Sequence, residues 1–232
     1  VWGYTAVTPE LVDFIGSSDE EGEYLSEADY LGTAAGKICY TTKPNWRNPD
    51  TNTVDKYIKN ILSLQHYSVL AHASVTLYLE GVSRALTHEL VRSRFLAFSQ
   101  LSQRYCNSSE MDWVCPPIDL DDKEAQLDYA QHFDSCLTAY DQHTERLMKK
   151  LASMDPHMRR KRAREAARGV LPNITETKIV TSGNLRAWRD FLSQRLDPTA
   201  DLEIMRLGSV ILEIMKDYAP STFSDFKRED DN

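Results

Sequence analysis

Cysteine is scarce in this chain. The four residues, Cys39, Cys106, Cys115 and Cys136, stand far apart with no C-x-x-C pair. That spacing argues against a disulfide framework and a structural zinc site, and suits a reducing compartment. Long apolar runs are missing too. None approaches the roughly 18–20 residues that span a bilayer, which argues against a transmembrane helix. The opening residues VWGYTAVTPELVDF carry no basic residue ahead of their apolar part and do not read as a signal peptide. There is no internal repeat and no low-complexity linker. Basic residues are outnumbered: 27 Lys and Arg against 35 Asp and Glu leave a formal charge of −8. Such acidity disfavours nonspecific attachment to nucleic acid, although a local patch can reverse it. The expectation is a soluble cytoplasmic protein whose 232 residues form a single domain, 1–232, with a substantial core.

What is present reads as a helix-rich chain with few strands. The acidic stretch SSDEEGEYLSEADY leads into an expected helix at about Leu31–Thr41. NPDTNTVDKYIKNILSLQ offers polar caps and then apolar spacing at Val54, Ile58, Ile61 and Leu62, which predicts a helix. ASVTLYLEGVS alternates β-branched and aromatic residues and predicts a strand, after which SRALTHELVR returns to helical spacing. Helices are expected over Lys123–Ser153 and Pro156–Gly169, the second stopped by Gly169 and Pro172. NITETKIVTSG reads as a strand, and NLRAWRDFLSQRL and TADLEIMRLGSVILEIMKDYAP as two more helices. The fold class is α+β, a modest central sheet flanked by helices.

Positive charge is concentrated in three segments of this acidic chain. RSRFLAFSQLSQRYC places Arg92, Arg94 and Arg104 within thirteen residues, beside hydroxyls, amides and flat rings. An arginine offers a planar fork of donors that matches phosphate or carboxylate oxygens. Surface ion pairs are the plain alternative for each arginine taken singly. MRRKRAREAARGVLP has six basic residues and one acidic between Arg159 and Arg168. On a helix, Ala163, Ala166, Ala167 and Val170 form an apolar stripe, with Arg160, Arg164 and Arg168 on an adjoining face. Taken alone it is equally a solvated basic face or an RNA- or DNA-binding helix. GNLRAWRDFLSQR carries Arg186 and Arg195, and Asn184 is placed to cap its helix. Together the three patches suggest a pocket for anionic small molecules rather than a long nucleic-acid track.

HYSVLAHASVTLYLEGVSRALTHELVRSRFLAFSQLSQRY resembles the central block of the flavin-dependent thymidylate synthases, whose hallmark is R-H-R, seven residues, then S. Here Arg92, Ser93 and Arg94 precede seven residues and then Ser102. The likeness runs on through ARGVLPNITETKIVTSGNLRAWRDFLSQR and DLEIMRL, covering roughly Ile38 to Leu207. The resemblance implies methylation of dUMP to dTMP with methylenetetrahydrofolate as carbon donor, NADPH as reductant and FAD as hydride carrier. It implies a homotetramer whose active sites are shared between subunits. By position it implies dUMP contacts at Glu89, Leu90, Val91, Arg92, Gln100, Leu101, Ser102, Gln103, Arg104, Arg168 and Arg195. It implies FAD contacts at Ser68, Arg92, Ser93, Arg94, Gln100, Asn184, Leu185, Arg186 and Asp190. Arg195 would be the catalytic residue, stabilising negative charge on the uracil as N3 loses its proton. Ser102 would position rather than attack, since no histidine near it in sequence stands as its base.

Four positions depart from the family's pattern. Ser93 stands for His between the two arginines, Ala71 for Glu before His72, Thr199 for a His after Arg195, and Asp190 for Asn or His. Each removes a ring, a donor or a counter-charge from the implied flavin pocket, and a charge-assisted hydrogen bond is worth about 1.5–3 kcal/mol. Weak flavin binding and low activity are therefore expected, with a catalytically weak or inactive nucleotide-binding homologue as the alternative. The remaining histidines have plain readings. His66 and His72 shape a pocket or the core without a metal, and His132, His143 and His157 lie exposed on helices. Cys106 lacks the P-C-H setting of the unrelated synthases that attack uracil with a thiolate.

Overall fold

The computed structural model describes residues 1–11, 26–39 and 53–227. Much of the acidic stretch, the last two residues of the expected first helix and the start of NPDTNTVDKYIKNILSLQ lie outside them. The chain divides into two compact units. One is Val1–Leu77, Ser93–Ala97 and Thr181–Asn232; the other is Tyr78–Arg92 and Phe98–Val180. Strands Gly3–Tyr4 (β1), Ser74–Ser83 (β2), Ala97–Gln100 (β3) and Glu176–Asn184 (β4) form a four-stranded sheet in the order β1-β2-β4-β3. The expected α+β class is borne out, with β1 antiparallel to β2 and Gly3 opposite Thr76.

In the first unit, helix α1 (Glu27–Ile38) starts four residues earlier than expected, because Ser26 accepts the Asp29 amide and caps it there. Helix α2 (Val54–Ser63) buries Val54, Tyr57, Ile58, Ile61 and Leu62, the spacing of one helical face. Gly36 is where α1 meets α2: a Cβ there would come within 2.9 Å of Tyr57 Cε1, so only glycine fits. Helix α6 (Leu185–Arg195) is capped by Asn184, which accepts the Ala187 amide at 2.9 Å. Its inner face, Leu185, Trp188, Phe191 and Leu192, is fully buried, and Trp188 Nε1 donates to the Val75 carbonyl on β2. Arg186, Asp190 and Ser193 recur on the opposite face at intervals of four and three. Helix α7 (Leu202–Tyr218) buries Ile204, Gly208, Ile211, Leu212 and Met215. The turn after it is fastened by Asp29, whose carboxylate accepts the Ser221 and Thr222 amides and the Thr222 hydroxyl.

In the second unit, helix α3 (Arg84–Leu90) follows β2 directly, capped by Ser83. Helix α4 (Lys123–Lys150) stops short of the expected Ser153, and buries only Phe133 and Tyr140. Helix α5 (Pro156–Ala167) packs along α4, capped by Asp155 with Pro156 in its first turn; the expected continuation to Gly169 tightens into a 3₁₀ turn over Arg168–Val170. The apolar stripe expected on α5 is narrower than its alanines suggest: Ala163 and Ala167 are buried, but Ala166 is exposed. Among the described residues no helix is long and apolar enough to cross a membrane, and no cluster of potential metal ligands occurs.

Candidate active site

The first unit carries a cavity of about 440 Å³ at the end of α2, within the roughly 300–1,000 Å³ usual for ligand sites. Its shape starts with how α2 stops. Gln65 takes a left-handed conformation (φ 56°), and its amide and that of His66 return to the carbonyls of Leu62 and Ile61. Glycine usually holds this position, because a side chain is strained there. The closure turns His66, Tyr67 and Ser68 to line the cavity with Gly36, Tyr57 and Arg186, and among the described residues no carboxylate lines it. A second cavity, of about 250 Å³, is lined by Tyr67, Arg186, Arg189, Asp190, Ser193 and Phe226. Tyr67 and Arg186 thus belong to both.

Three residues expected to bind flavin therefore converge here: Ser68 in the larger cavity, Asp190 in the smaller, and Arg186 in both. Arg186 has no carboxylate within ion-pair distance among the described residues. Unneutralised charge, flat rings and hydroxyls fit a ring-bearing anion such as a flavin dinucleotide. Asn184 is committed to its cap, and Leu185 is fully buried with its amide bonded to the Ala73 carbonyl, so Leu185 can offer a ligand only main chain. Ser93 and Arg94 belong to the short Ser93–Ala97 segment of this unit and line neither cavity. Arg195 ends α6, half-exposed, and lines neither. Thr199 is turned to its own loop, donating main chain and hydroxyl to Asp197 Oδ1. His66 shapes the larger cavity as expected; His72 does not.

The second unit holds the expected nucleotide contacts other than Arg195. Gln100 Nε2 donates to Thr87 Oγ1 at 2.9 Å and Thr177 Oγ1 at 3.4 Å. The Leu101 amide is bonded to the Lys178 carbonyl, and the Ser102 hydroxyl accepts the Arg104 amide at 3.3 Å. Among the described residues no histidine is hydrogen-bonded to the Ser102 side chain. Gln103 is buried and its Oε1 accepts from Arg84 Nη2 at 2.9 Å, while Arg84 Nη1 reaches the Leu101 carbonyl and Thr177 Oγ1 at 3.5 Å each. Arg84 is half-buried against these neutral acceptors. Burial, and then the charge of Arg168, hold its guanidinium below the usual range. Arg84, Arg92 and Arg168 have no carboxylate within ion-pair distance among the described residues. Arg104 shares Glu165 with Arg162, at 3.4 and 3.0 Å, and its own contact lacks hydrogen-bond geometry. Of the helix before the motif, Leu90 is fully buried, Val91 exposed and Glu89 between the two.

On α5, Arg164 donates to the Tyr105 carbonyl, and Lys161 lies 5.1 Å from the Tyr105 ring centre. A hydrogen bond from Lys161 and its charge hold the Tyr105 phenol below its usual range. This helix therefore faces the turn at Tyr105, not only solvent. His132 and His157 are exposed as expected, whereas His143 is half-buried.

Sequence reasoning missed Arg84, Tyr67, Arg189 and Phe226. Arg84 had a legible signal, an arginine opening a helix straight after a strand, with Thr177 on the buried face of β4 as a polar partner. The other three become site residues only through tertiary packing.

A family model described as "Thymidylate synthase complementing protein" matches residues 23–221. A flavin-dependent thymidylate synthase of Corynebacterium diphtheriae is 42% identical over 228 residues, covering 96% of this chain and 86% of the relative. Proteins of the same name from Mycolicibacterium vanbaalenii and Mycobacterium avium are each 46% identical over 196 residues, covering 83% of this chain and 77% of theirs.

Proposed function

The chain belongs to the thymidylate synthase complementing protein family, and from that premise we propose that it methylates dUMP reductively to dTMP. FAD is its flavin, methylenetetrahydrofolate its carbon donor and NADPH its reductant. One observation carries the reading: Arg84, bonded to Gln103 and Leu101 and close enough to Arg168 to feel its charge, has no carboxylate within ion-pair distance among the described residues, and neither has Arg168, in a chain of net charge −8. An array of that kind is stable and useful when an anion completes it.

Arg168, Arg104 and the amide-rich Gln100–Arg104 segment take the nucleotide's phosphate and sugar, with Glu89, Leu90, Val91 and Arg92 bordering them. Ser102 orients the base. Arg195 lies against the uracil edge, where its fork stabilises the charge that develops as N3 gives up its proton and C5 becomes electron-rich. Ser68, Ser93, Arg94, Arg186, Asp190 and the main chain at Asn184 and Leu185 would hold the flavin, with Arg92 and Gln100 contributed to the shared site by another subunit. Flavin chemistry supplies the two-electron reduction that no side chain here can perform. The protein acts in the cytoplasm as a single-domain subunit of a homotetramer with shared sites.

A catalytically weak, nucleotide-binding form of the same protein is favoured by one observation. Asp190 sets a carboxylate in the cavity that Arg186 also lines. Incubating the purified protein with dUMP, methylenetetrahydrofolate, NADPH and FAD, and measuring dTMP by mass spectrometry, decides between them. Product formation supports the enzyme. Saturation by dUMP and flavin without product leaves the binding form.

A further inference from the structure

The smaller cavity has a wall that the family match does not include. The matched region ends at Ser221, and the turn beyond it is fastened at both ends. At its start, Asp29 accepts the Ser221 and Thr222 amides. At its end, Arg189 donates to both oxygens of Asp225 at 2.7 Å each, and also to the Thr222 carbonyl. Phe223, between the two ties, is fully buried. The Arg189 side chain is only 11% exposed. Its guanidinium lies 4.9 Å from the Phe226 ring centre, 5.4 Å from Tyr67 and 6.0 Å from Phe223. A cation held by a fork and enclosed by rings is a rigid spacer.

Tyr67 and Phe226 therefore stand as fixed aromatic surfaces in the same cavity, with Arg186 unneutralised beside them and Asp190 as an acceptor. Because Asp225 neutralises Arg189, the only cation facing the cavity without its own counter-charge is Arg186, among the described residues. The chemistry that fits is a flat, uncharged nitrogen heterocycle carrying an anionic tail. Phe226 and Tyr67 would hold the ring, Asp190 would accept from a ring donor, and Arg186 would meet the tail's phosphate.

We propose that the C-terminal turn is a functional wall of the cofactor site, in which Phe226 binds the cofactor's heterocycle and the Arg189–Asp225 pair acts as its positioning device. The proposal rests on the flavin reading and adds to it residues outside the family match. The heterocycle can be the flavin ring or the purine of the same dinucleotide.

The test measures dissociation constants for FAD, FMN and ADP by fluorescence and calorimetry, with dUMP affinity and Tm alongside, for the unsubstituted protein, Phe226→Ala, Phe226→Tyr and Asp225→Asn. Stacking of aromatic rings translates into about 3- to 10-fold weaker FAD binding by Phe226→Ala. Phe226→Tyr stays within about twofold, Asp225→Asn weakens FAD, and dUMP affinity is unchanged in all. If FMN alone loses affinity, the wall holds the flavin ring; if ADP alone does, it holds the purine. FAD affinity untouched in Phe226→Ala, or FAD and dUMP weakened alike with a lower Tm, overturns the wall while leaving the flavin reading intact. An unsubstituted protein that binds dUMP but no FAD sinks the flavin reading and the wall together.

Discussion

Arg84 is the position at which structure and chemistry make the sharpest demand. Its guanidinium is half-buried, repelled by Arg168, and given one short hydrogen bond, to Gln103, and two long ones. A single charge-assisted bond in good geometry is worth about 1.5–3 kcal/mol, but removing the arginine also relieves its desolvation and the repulsion from Arg168. Arg84→Ala is therefore expected to cost the fold only about 1 kcal/mol or less, a Tm shift of a few degrees at most. The effect on the ligand should be larger. If the nucleotide phosphate completes the array, losing one guanidinium removes about 1.5–3 kcal/mol of binding, or roughly 10- to 150-fold in the dUMP dissociation constant. Deoxyuridine, without the phosphate, should hardly notice. Titration calorimetry with both ligands separates the cases, and Arg84→Lys should restore part of the discrimination because a point charge remains. Equal weakening of dUMP and deoxyuridine would show that Arg84 only holds Gln103 and Leu101 in place. Unchanged dUMP affinity would refute the phosphate array itself.

The other expectations concern Arg195, the altered motif and a buried acid. Arg195→Ala should abolish dTMP formation while dUMP binding and Tm persist, and Arg195→Lys should recover little, since a point charge cannot reproduce the fork; near-normal turnover by the alanine variant removes Arg195 from the mechanism. Ser93→His restores a ring and a donor, and should tighten FAD by about 1–2 kcal/mol in a fluorescence titration. Stoichiometric flavin in the unsubstituted protein, with no gain on substitution, would mean that serine serves there as well. Asp29 is raised from 3.8 to about 6, because burial outweighs the bonds donated by Thr222 and Ser221. The folded state therefore holds the proton more tightly than the unfolded chain. This contribution is complete below about pH 4, fades as pH rises through about 6, and amounts to about 3 kcal/mol over that window. Denaturant titrations from pH 4 to 7 should show that decline relative to Asp29→Asn, and parallel profiles would refute the assignment.

Which features were legible from sequence follows from how far apart their partners lie. Strand β2 and helices α2, α6 and α7 were readable because periodicity is local: Val54, Ile58, Ile61 and Leu62 mark a face without help from the rest of the chain. Asn184 announced its cap for the same reason. The ends of α1 and α4 were missed because Ser26 competes as a cap and because the turn after Lys150 carries no strong stop. Strand β3, hidden inside the arginine-rich motif, has only four residues, too few for alternation to register. The convergence of Ser68, Arg186 and Asp190 was suggested by likeness alone, since 118 positions separate Ser68 from Arg186.

The aromatic wall had no signal of either kind. Phe226 lies in a short polar turn, and Arg189 looks like one more solvent-facing arginine of a charged helix. What converts them is the pair of tethers at Asp29 and Asp225. Two acids far apart in sequence fix a six-residue turn, so that Phe226 can serve only where Tyr67 and Arg186 already are. Residues of this kind are placed by carboxylates whose own positions depend on helix packing, which neither hydrophobic period nor a family motif encodes. That is also why they offer a useful test: they can be changed without touching any residue the motif names.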